Sequence, residues 1–566
     1  MKLAAAALTI ALAHANVVDV RDGSIARDVT VVIAGDRIVS IGPTPSLPAS
    51  TTVVDARGKY VIPGLWDMHV HWFEERYLPL FIANGVTGVR QMWGFGAHQE
   101  WRQRIESGSL LGPRQVIAGP IVDGPQPIWP GSVAVKDAAE GRAAVAQVKA
   151  AEFDFVKVYS LLPRDAFLAI ADEAKKAHIA FAGHVPYSVS ASEAADAGMR
   201  SIEHLTGVML ESSTHGEALR KAYVAAETSA DLFKVGRETA NELLTTYDDG
   251  KAAALFSRFV KDGTWQCPTL TVNRAIAYLD DPAFVQDARL RYMPESMRQS
   301  WDPKQDFRFR DSTPEDFAMR RKTYAKQVQI VGAMSRAGVR LVAGTDTGNP
   351  FCFPGFSLHD ELASLVEAGL SPLQSLQAAT LNAADLAGAA DLGVVAPGKL
   401  ADLVVLDANP LQDIHNTTKI AGVVVAGRHY SREALAQMLA AVEKLAARKS
   451  IVEPLLATVT DHDAATAVDQ YRRLKATEPE LWNFDESELY ALSYRLLFMK
   501  RPLDAIELLK LNAEVFPTSG DVQDGLGEAY LAAGQKDLAI ASFQRALVLD
   551  PKNLNAAAKL KMLATP

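Results

Sequence analysis

VIPGLWDMHVHW, Val61 to Trp72, is the stretch from which the rest of the chain is read. A short apolar run ends in two imidazoles, His69 and His71. Residues i and i+2 of a strand share a face, so both rings can converge on one metal ion. Alone the signal is weak, because an apolar strand also accommodates a histidine satisfied by backbone carbonyls. Its weight comes from the residues that follow.

Between residues 59 and 395 strand-like runs alternate with helical stretches. The runs are YVIPGLWDMHV, GVTGVRQMW, RQVIAGPIV, FVKVYS, IAFAGHV, SIEHL, WQCPTLTVN and RLVAGTDTG. Eight such runs in a segment of this size predict an α/β fold, a (β/α)8 TIM barrel. Two connections are long, Glu211 to Gly263 and Ala275 to Lys326, and are expected as loops that shape access to the barrel mouth. The flanks, residues 1–58 and 396–430, carry short β-runs bounded by Gly, Asp and Pro, which predicts a small β-sandwich built from both. After Tyr430 the pattern turns helical: a linker helix over 431–450, then a helical domain over 451–566. Within it GLGEAYLAAGQKDLAIASFQRALVLDP is similar to a tetratricopeptide repeat, and Pro517 and Ala505 lie 34 residues before Pro551 and Ala539.

The chain has 566 residues, 48% hydrophobic and 22% charged, and a net charge of -9, which fits two or three globular domains. No run of Lys and Arg could track phosphates, so nucleic acid is not an expected partner. Two cysteines, Cys267 and Cys352, cannot build a disulfide framework. Met1 to Ala15 has the charge, apolar run and small-residue ending of a signal peptide, yet runs directly into strand-rich sequence. Cleavage there would place the protein in the periplasm or outside the cell, and its absence in the cytoplasm. No apolar run is long enough to span a bilayer.

His184, His204 and Asp346 each end a predicted barrel strand, where barrel active sites are built. With His69 and His71 they make four imidazoles and one carboxylate, a set suited to zinc or a similar divalent ion. Lys157, inside FVKVYS, is the odd member, since a buried ammonium is costly and cannot ligate a metal.

The motifs PGLWDMHVH, VKVYS, GHV, SIEH, AGTDTG, LHDELASLVEAGLSPLQSLQAATLNAA and GVVAPGKLADLVVLD together resemble the amidohydrolase superfamily, in its imidazolonepropionase-like and metal-dependent prolidase-like branch. The resemblance covers about Asn16 to Tyr430. It implies a centre of two divalent metal ions: His69, His71 and Asp346 on one, His184 and His204 on the other, and a carboxylated Lys157 with a hydroxide bridging them. It further implies an amide-cleaving hydrolase of dipeptides or N-acyl amino acids, in which the bridging hydroxide attacks and Asp346 is the catalytic base. A lactonase or phosphoester hydrolase would use the same centre. A third alternative is a binding protein with an inactive barrel, whose helical tail recruits a protein partner or a second copy of the chain. Tyr159, two positions after Lys157, and His215 are candidate substrate contacts. His359, opening LHDEL, is expected to be structural at a helix start. Arg90 is followed by Gln91, where relatives often carry an acid.

Overall fold

The computed structural model describes residues 9–43, 47–129, 131–226 and 228–564. Contacts divide the chain into two units. The first runs to Val442 without residues 95–97 and 289–300; the second holds those two segments and the chain from Glu443 onward.

In the first unit, hydrogen bonds join strands of both flanks into one eight-stranded sheet. Its order is Arg428–Ser431, Ile420–Val425, Leu403–Leu406, Tyr60–Pro63, Thr9–Val18, Ile25–Ala34 and Arg37–Gly42, with Thr52–Asp55 also paired to Thr9–Val18. The long strand explains the continuity. Register shifts between Leu12 and Val17 bend it. One of its edges then pairs first with Thr52–Asp55 and next with Tyr60–Pro63, both parallel. Residues from both flanks, among them Leu12, Val31, Val61, Leu403 and Val424, pack into a single core. Half of the stretch with signal-peptide character, residues 1–8, lies outside the described residues. The other half, from Thr9, is the start of this central strand.

YVIPGLWDMHV is two strands, not one. Tyr60–Pro63 pairs with Leu403–Leu406, and Gly64 still donates to Asp402 O at 2.7 Å. Leu65 then changes partner and donates to Gly85 O at 3.0 Å. Leu65–Val70 thus opens a second, parallel system with Val86–Gln91 and Arg114–Ile117. A further parallel sheet runs through Val133–Ala134, Val122–Asp123, Phe155–Val158, Ala180–Gly183, Ser201–Glu203 and Trp265–Cys267. Single parallel bridges connect Ala118 with Phe155, Gln266 with Leu341, and Val70 with Thr347. Leu65–Val70, Val86–Gln91 and Phe155–Val158 are buried along their whole length. That is the signature of parallel strands covered by helices, here Ala138–Ala150 against Phe155–Val158 and Arg164–Ala177 against Ala180–Gly183.

Three local expectations need correction. TLTVN is not strand: after Trp265–Cys267 the chain forms the helix Leu270–Ala277. Buried Glu361 holds its N-terminus, accepting from Leu270 N at 3.0 Å and Thr271 N at 2.7 Å. The two long connections are also not plain loops, the first being largely helical and the second running into a helix. The first contains Gly216–Val224, Ser229–Thr245 and Asp249–Asp262, the second Pro314–Arg336. Thr228 with Asp231, and Thr313 with Asp316, form reciprocal capping boxes that start two of these helices.

The second unit is built on successive helices, Val452–Asp461, Ala464–Thr477, Glu486–Phe498, Pro502–Val515, Gly520–Ala532, Lys536–Leu549 and Leu554–Ala564. They share a core that includes Leu489, Leu492, Leu509, Ala529 and Phe543. Gly527 sets one close approach: a Cβ there would sit 2.6 Å from the Phe543 ring. No helix among the described residues is long and apolar enough to cross a membrane.

Candidate metal centre

The fold brings His69, His71, His184, His204, Asp346 and Lys157 to one end of the parallel strands. His69 and His71 lie at the end of Leu65–Val70, their Nε2 atoms 3.2 Å apart. Asp346 Oδ1 is 3.4 Å from His69 Nε2 and 3.2 Å from His71 Nε2. Its Oδ2 lies 4.0 Å from His204 Nε2. The His204 ring centroid is 4.4 Å from that of His69 and 4.9 Å from that of His184. His69, His71 and Asp346 each offer a ligand atom within 4.8 Å of the others. Two of these residues hold uncommon backbone conformations, with φ +60° at Asp346 and +58° at His204. Left-handed non-glycine residues are costly and persist only where surrounding contacts impose them. Here Asp346 N donates to His69 O at 2.8 Å and His204 N to Cys267 O at 3.0 Å.

Three of the imidazoles are oriented through Nδ1. His69 is bonded there to Glu203 Oε2 at 2.8 Å, His184 to Ser160 Oγ at 3.0 Å and His204 to Thr269 Oγ1 at 2.6 Å. Such partners fix ring orientation and leave Nε2 for a metal. Glu203 is itself held by Arg90, which donates to both carboxylate oxygens at 2.8 and 3.0 Å, to Ser201 Oγ at 2.8 Å and to Met68 O at 2.6 Å. Arg90 therefore finds its acid across the sheet system rather than at position 91. Gln91 donates instead to Trp72 O at 2.8 Å. Both members of the Arg90–Glu203 pair are buried, so removing either would leave an uncompensated charge at a cost of about 3–5 kcal/mol.

Glu203 is the functional residue that motif reasoning passed over. Its signal was an acid inside a buried strand directly before a candidate ligand. Asp67 is a second buried acid, two residues before His69. It accepts from Thr345 N at 3.0 Å and His69 N at 3.2 Å, tying the first strand to the Asp346 segment, and burial pushes its carboxyl up to about 7.

Electrostatics favour ligation. Burial holds His69 and His184 well below the usual histidine range and His204 at about 4, so these rings are neutral at physiological pH. Burial alone would raise the Asp346 carboxyl, but His204, His71 and Lys157 outweigh it and keep the group below the usual carboxylate range. Lys157 is fully buried, and its Nζ has no hydrogen-bond partner. Burial lowers it to about 8 against the opposing pull of Glu203 and Asp346. The Nδ1 of His71 is likewise buried without a hydrogen-bond partner. Gly183, at φ +138°, makes room for the lysine: a Cβ there would lie 2.2 Å from Val158 O and 3.0 Å from Lys157 Cδ. His69, His71 and Asp346, with the rings of His204 and His184 beside them, are a donor set that fits a bound cation.

Tyr159 stacks on His184, ring centroids 3.9 Å apart, and its hydroxyl accepts from Trp129 Nε1 at 2.9 Å. Burial raises its phenol, which stays protonated. His215 does not join the cluster. Its half-exposed ring pairs with Glu242 Oε1 at 2.6 Å, on the face of a helix that the sequence pattern treats as loop. His359 lies in the helix Phe356–Glu367, bonded to Thr417 Oγ1 at 2.9 Å and Asn84 O at 3.0 Å, which is a structural role.

Comparison with known proteins gives a consistent picture. Imidazolonepropionase of Deinococcus deserti is 40% identical over 82 residues, 14% of this chain and 20% of the relative. Adenine deaminase 2 of Agrobacterium fabrum is 43% identical over 75 residues, 13% of each. The chain thus aligns with about a fifth or less of these relatives. Among solved structures, Bottromycin amidohydrolase is similar with a TM-score of 0.63 at 26% identity, over 78% of this chain and 91% of that one. A putative prolidase from Bifidobacterium longum gives 0.54 at 26% identity, over 77% and 100%. The sequence model of the Amidohydrolase family matches residues 60–429. The chain belongs to the amidohydrolase family.

Proposed function

We propose that this protein is a metal-dependent hydrolase that cleaves the amide bond of dipeptides or N-acyl amino acids. The observation that carries the proposal is the convergence of His69, His71 and His204 on Asp346, with His184 beside His204 and fully buried Lys157 among the same groups. The parallel strands, with the segment 341–347 bridged to both Gln266 and Val70, are read as the eight strands of a (β/α)8 barrel, and the proposed ligands as the group at its active end. His69, His71 and Asp346 would hold one divalent ion and His184 and His204 a second, with Lys157, carboxylated, between them. Zinc suits this nitrogen-rich set. Two such cations, when bound, acidify water and polarise a carbonyl.

The chain's own groups supply the rest. Asp346 faces three imidazoles and accepts the proton of the attacking water, then returns it to the departing amine nitrogen. Glu203, Ser160 and Thr269 keep three of the rings from turning, so no reorganisation is needed during turnover. The Tyr159 hydroxyl, protonated and fixed by Trp129, can donate to a substrate oxygen. The paired helices of the second unit, with Gly527 under Phe543, are read as tetratricopeptide-like repeats that could take a protein partner or a second copy.

The direct test is a panel of dipeptides, N-acyl amino acids, lactones and phosphoesters with zinc-supplemented protein. Amides should be turned over with kcat/KM in the enzymic range, about 10⁴ M⁻¹s⁻¹ or more for the best of them. Turnover of lactones or phosphoesters without any amide would replace this function with the corresponding esterase chemistry.

A further inference from the structure

A run of aromatic side chains leads away from His71. The Trp93 ring lies 6.4 Å from that of His71 between centroids, Phe73 lies 6.0 Å from Trp93, and Trp129 is 6.4 Å from Trp93 on its other side. Phe307 continues the run at 5.5 Å from Trp129. Most of these contacts are edge-to-face, with interplanar angles of 82°, 88° and 78° at the His71–Trp93, Phe73–Trp93 and Trp129–Phe307 pairs. The four rings come from separate connections. Phe73 follows the strand of His69 and His71, Trp93 the next strand and Trp129 the segment after Val122–Asp123, while Phe307 belongs to the long second connection. Residues so distant in sequence have no local reason to align.

Nor is the run a core. Phe73 is 45% and Phe307 39% exposed, and Trp93 and Trp129 are only partly buried. Keeping large rings in contact with water forgoes the free energy of burial, and a contiguous apolar surface beside a chemical centre is where ligands bind. The run is anchored to the centre at two points: through Trp93 against His71, and through Trp129 Nε1 donating to Tyr159, which stacks on His184. Charge points to an uncharged occupant. Arg308 lies 5.4 Å from the Trp129 ring centroid, but its guanidinium is paired with Asp306 at 2.6 Å and donates to Asn349 Oδ1 at 2.8 Å. The surface next to the rings therefore carries a neutralised pair, suited neither to an anionic nor to a cationic side chain.

We propose that Phe73, Trp93, Trp129 and Phe307 form a subsite for an aromatic side chain carried next to the scissile amide, so that the substrates are amides of aromatic amino acids. The proposal rests on the hydrolase function above and narrows it. Edge-to-face contact with such a ring adds to area burial and rejects small or charged side chains.

The test has a binding arm and a turnover arm, both with the full-length, zinc-supplemented protein. In the first, the product amino acids phenylalanine, alanine and lysine, which hold no amide to cleave, are titrated calorimetrically against wild type and the Phe307→Ala and Phe73→Ala variants. Phenylalanine should bind about tenfold or more tighter than the other two, and each variant should shrink that preference several-fold. In the second, kcat/KM is compared for dipeptides differing only in a Phe, Ala or Lys side chain, with the same preference expected. Equal binding of the three acids, a preference for the lysine ligand, or a phenylalanine preference unchanged in both variants would overturn the subsite. A binding preference without turnover of any amide supports the subsite and removes the hydrolase function. Turnover without side-chain preference does the reverse.

Discussion

Asp346→Asn should lose about 10²- to 10⁴-fold in kcat while the protein stays folded and keeps most of its metal. The amide retains an oxygen that can ligate and can still sit beside His69 and His71, where the carboxylate lies 3.4 and 3.2 Å away. What it lacks is a basic oxygen to take a proton from water and return it to the leaving nitrogen. The carboxylate is well placed for that work. His204, His71 and Lys157 hold it in the ionised form despite burial, and the substitution removes a charge from a position whose backbone, at φ +60°, is already set by its neighbours. Asn tolerates that conformation, so the fold should survive. The check is kcat together with metal content by mass spectrometry. A variant with near-normal turnover would remove Asp346 from its role as base, and one that loses metal and activity together would make it a ligand alone.

Lys157→Ala should cost metal affinity and turnover together, each by about 100-fold or more, because an anionic bridging ligand exceeds in effect the outer partners whose loss costs 10–100-fold. The lysine is fully buried, with no hydrogen-bond partner at Nζ, and burial lowers its pKa to about 8, so a fraction of it is the neutral amine that reacts with carbon dioxide. A carbamate there, as proposed, would remove the conflict of an ammonium among imidazoles. Alanine leaves a void at the end of a strand, and acetate or propionate can enter it and present two oxygens at the same place. Partial recovery of turnover with these acids, and none with chloride at equal ionic strength, is the expected result. Turnover and metal content equal to wild type in Lys157→Ala would leave no role for a carbamate.

The meeting of these side chains was legible in the sequence because much of their geometry is local. His69 and His71 share a face by the two-residue period of a strand, and His184 and His204 directly follow the short buried strands Ala180–Gly183 and Ser201–Glu203, while Asp346 follows an apolar run tied in by single bridges at Leu341 and Thr347. What those ligands lean on was harder to see. Glu203 reaches His69 from another strand, and Arg90 reaches Glu203 from a third, so neither pairing leaves a mark within any one motif. The same limit explains the split at Gly64. Tyr60 to Val70 reads as one apolar run, and only the identity of the partners, Leu403–Leu406 on one side and Val86–Gln91 on the other, divides it. His215 failed for a different reason. The segment after Leu205 reads as loop, but the Thr228–Asp231 capping box starts the helix that carries Glu242, and the histidine is spent on that pair. The capping signals were present in the sequence and were outweighed by the length of the connection.

On the proposed function, catalysis depends on two cations held by His69, His71, Lys157, His184, His204 and Asp346. The most direct measurement is metal content per chain by mass spectrometry, taken alongside amide hydrolysis, as a chelator strips the protein and zinc is titrated back. Close to two equivalents per chain are expected in the active protein, with loss of turnover on stripping and recovery that saturates near two equivalents. Undiminished amide hydrolysis by protein carrying less than about a tenth of an equivalent of any divalent metal would contradict it.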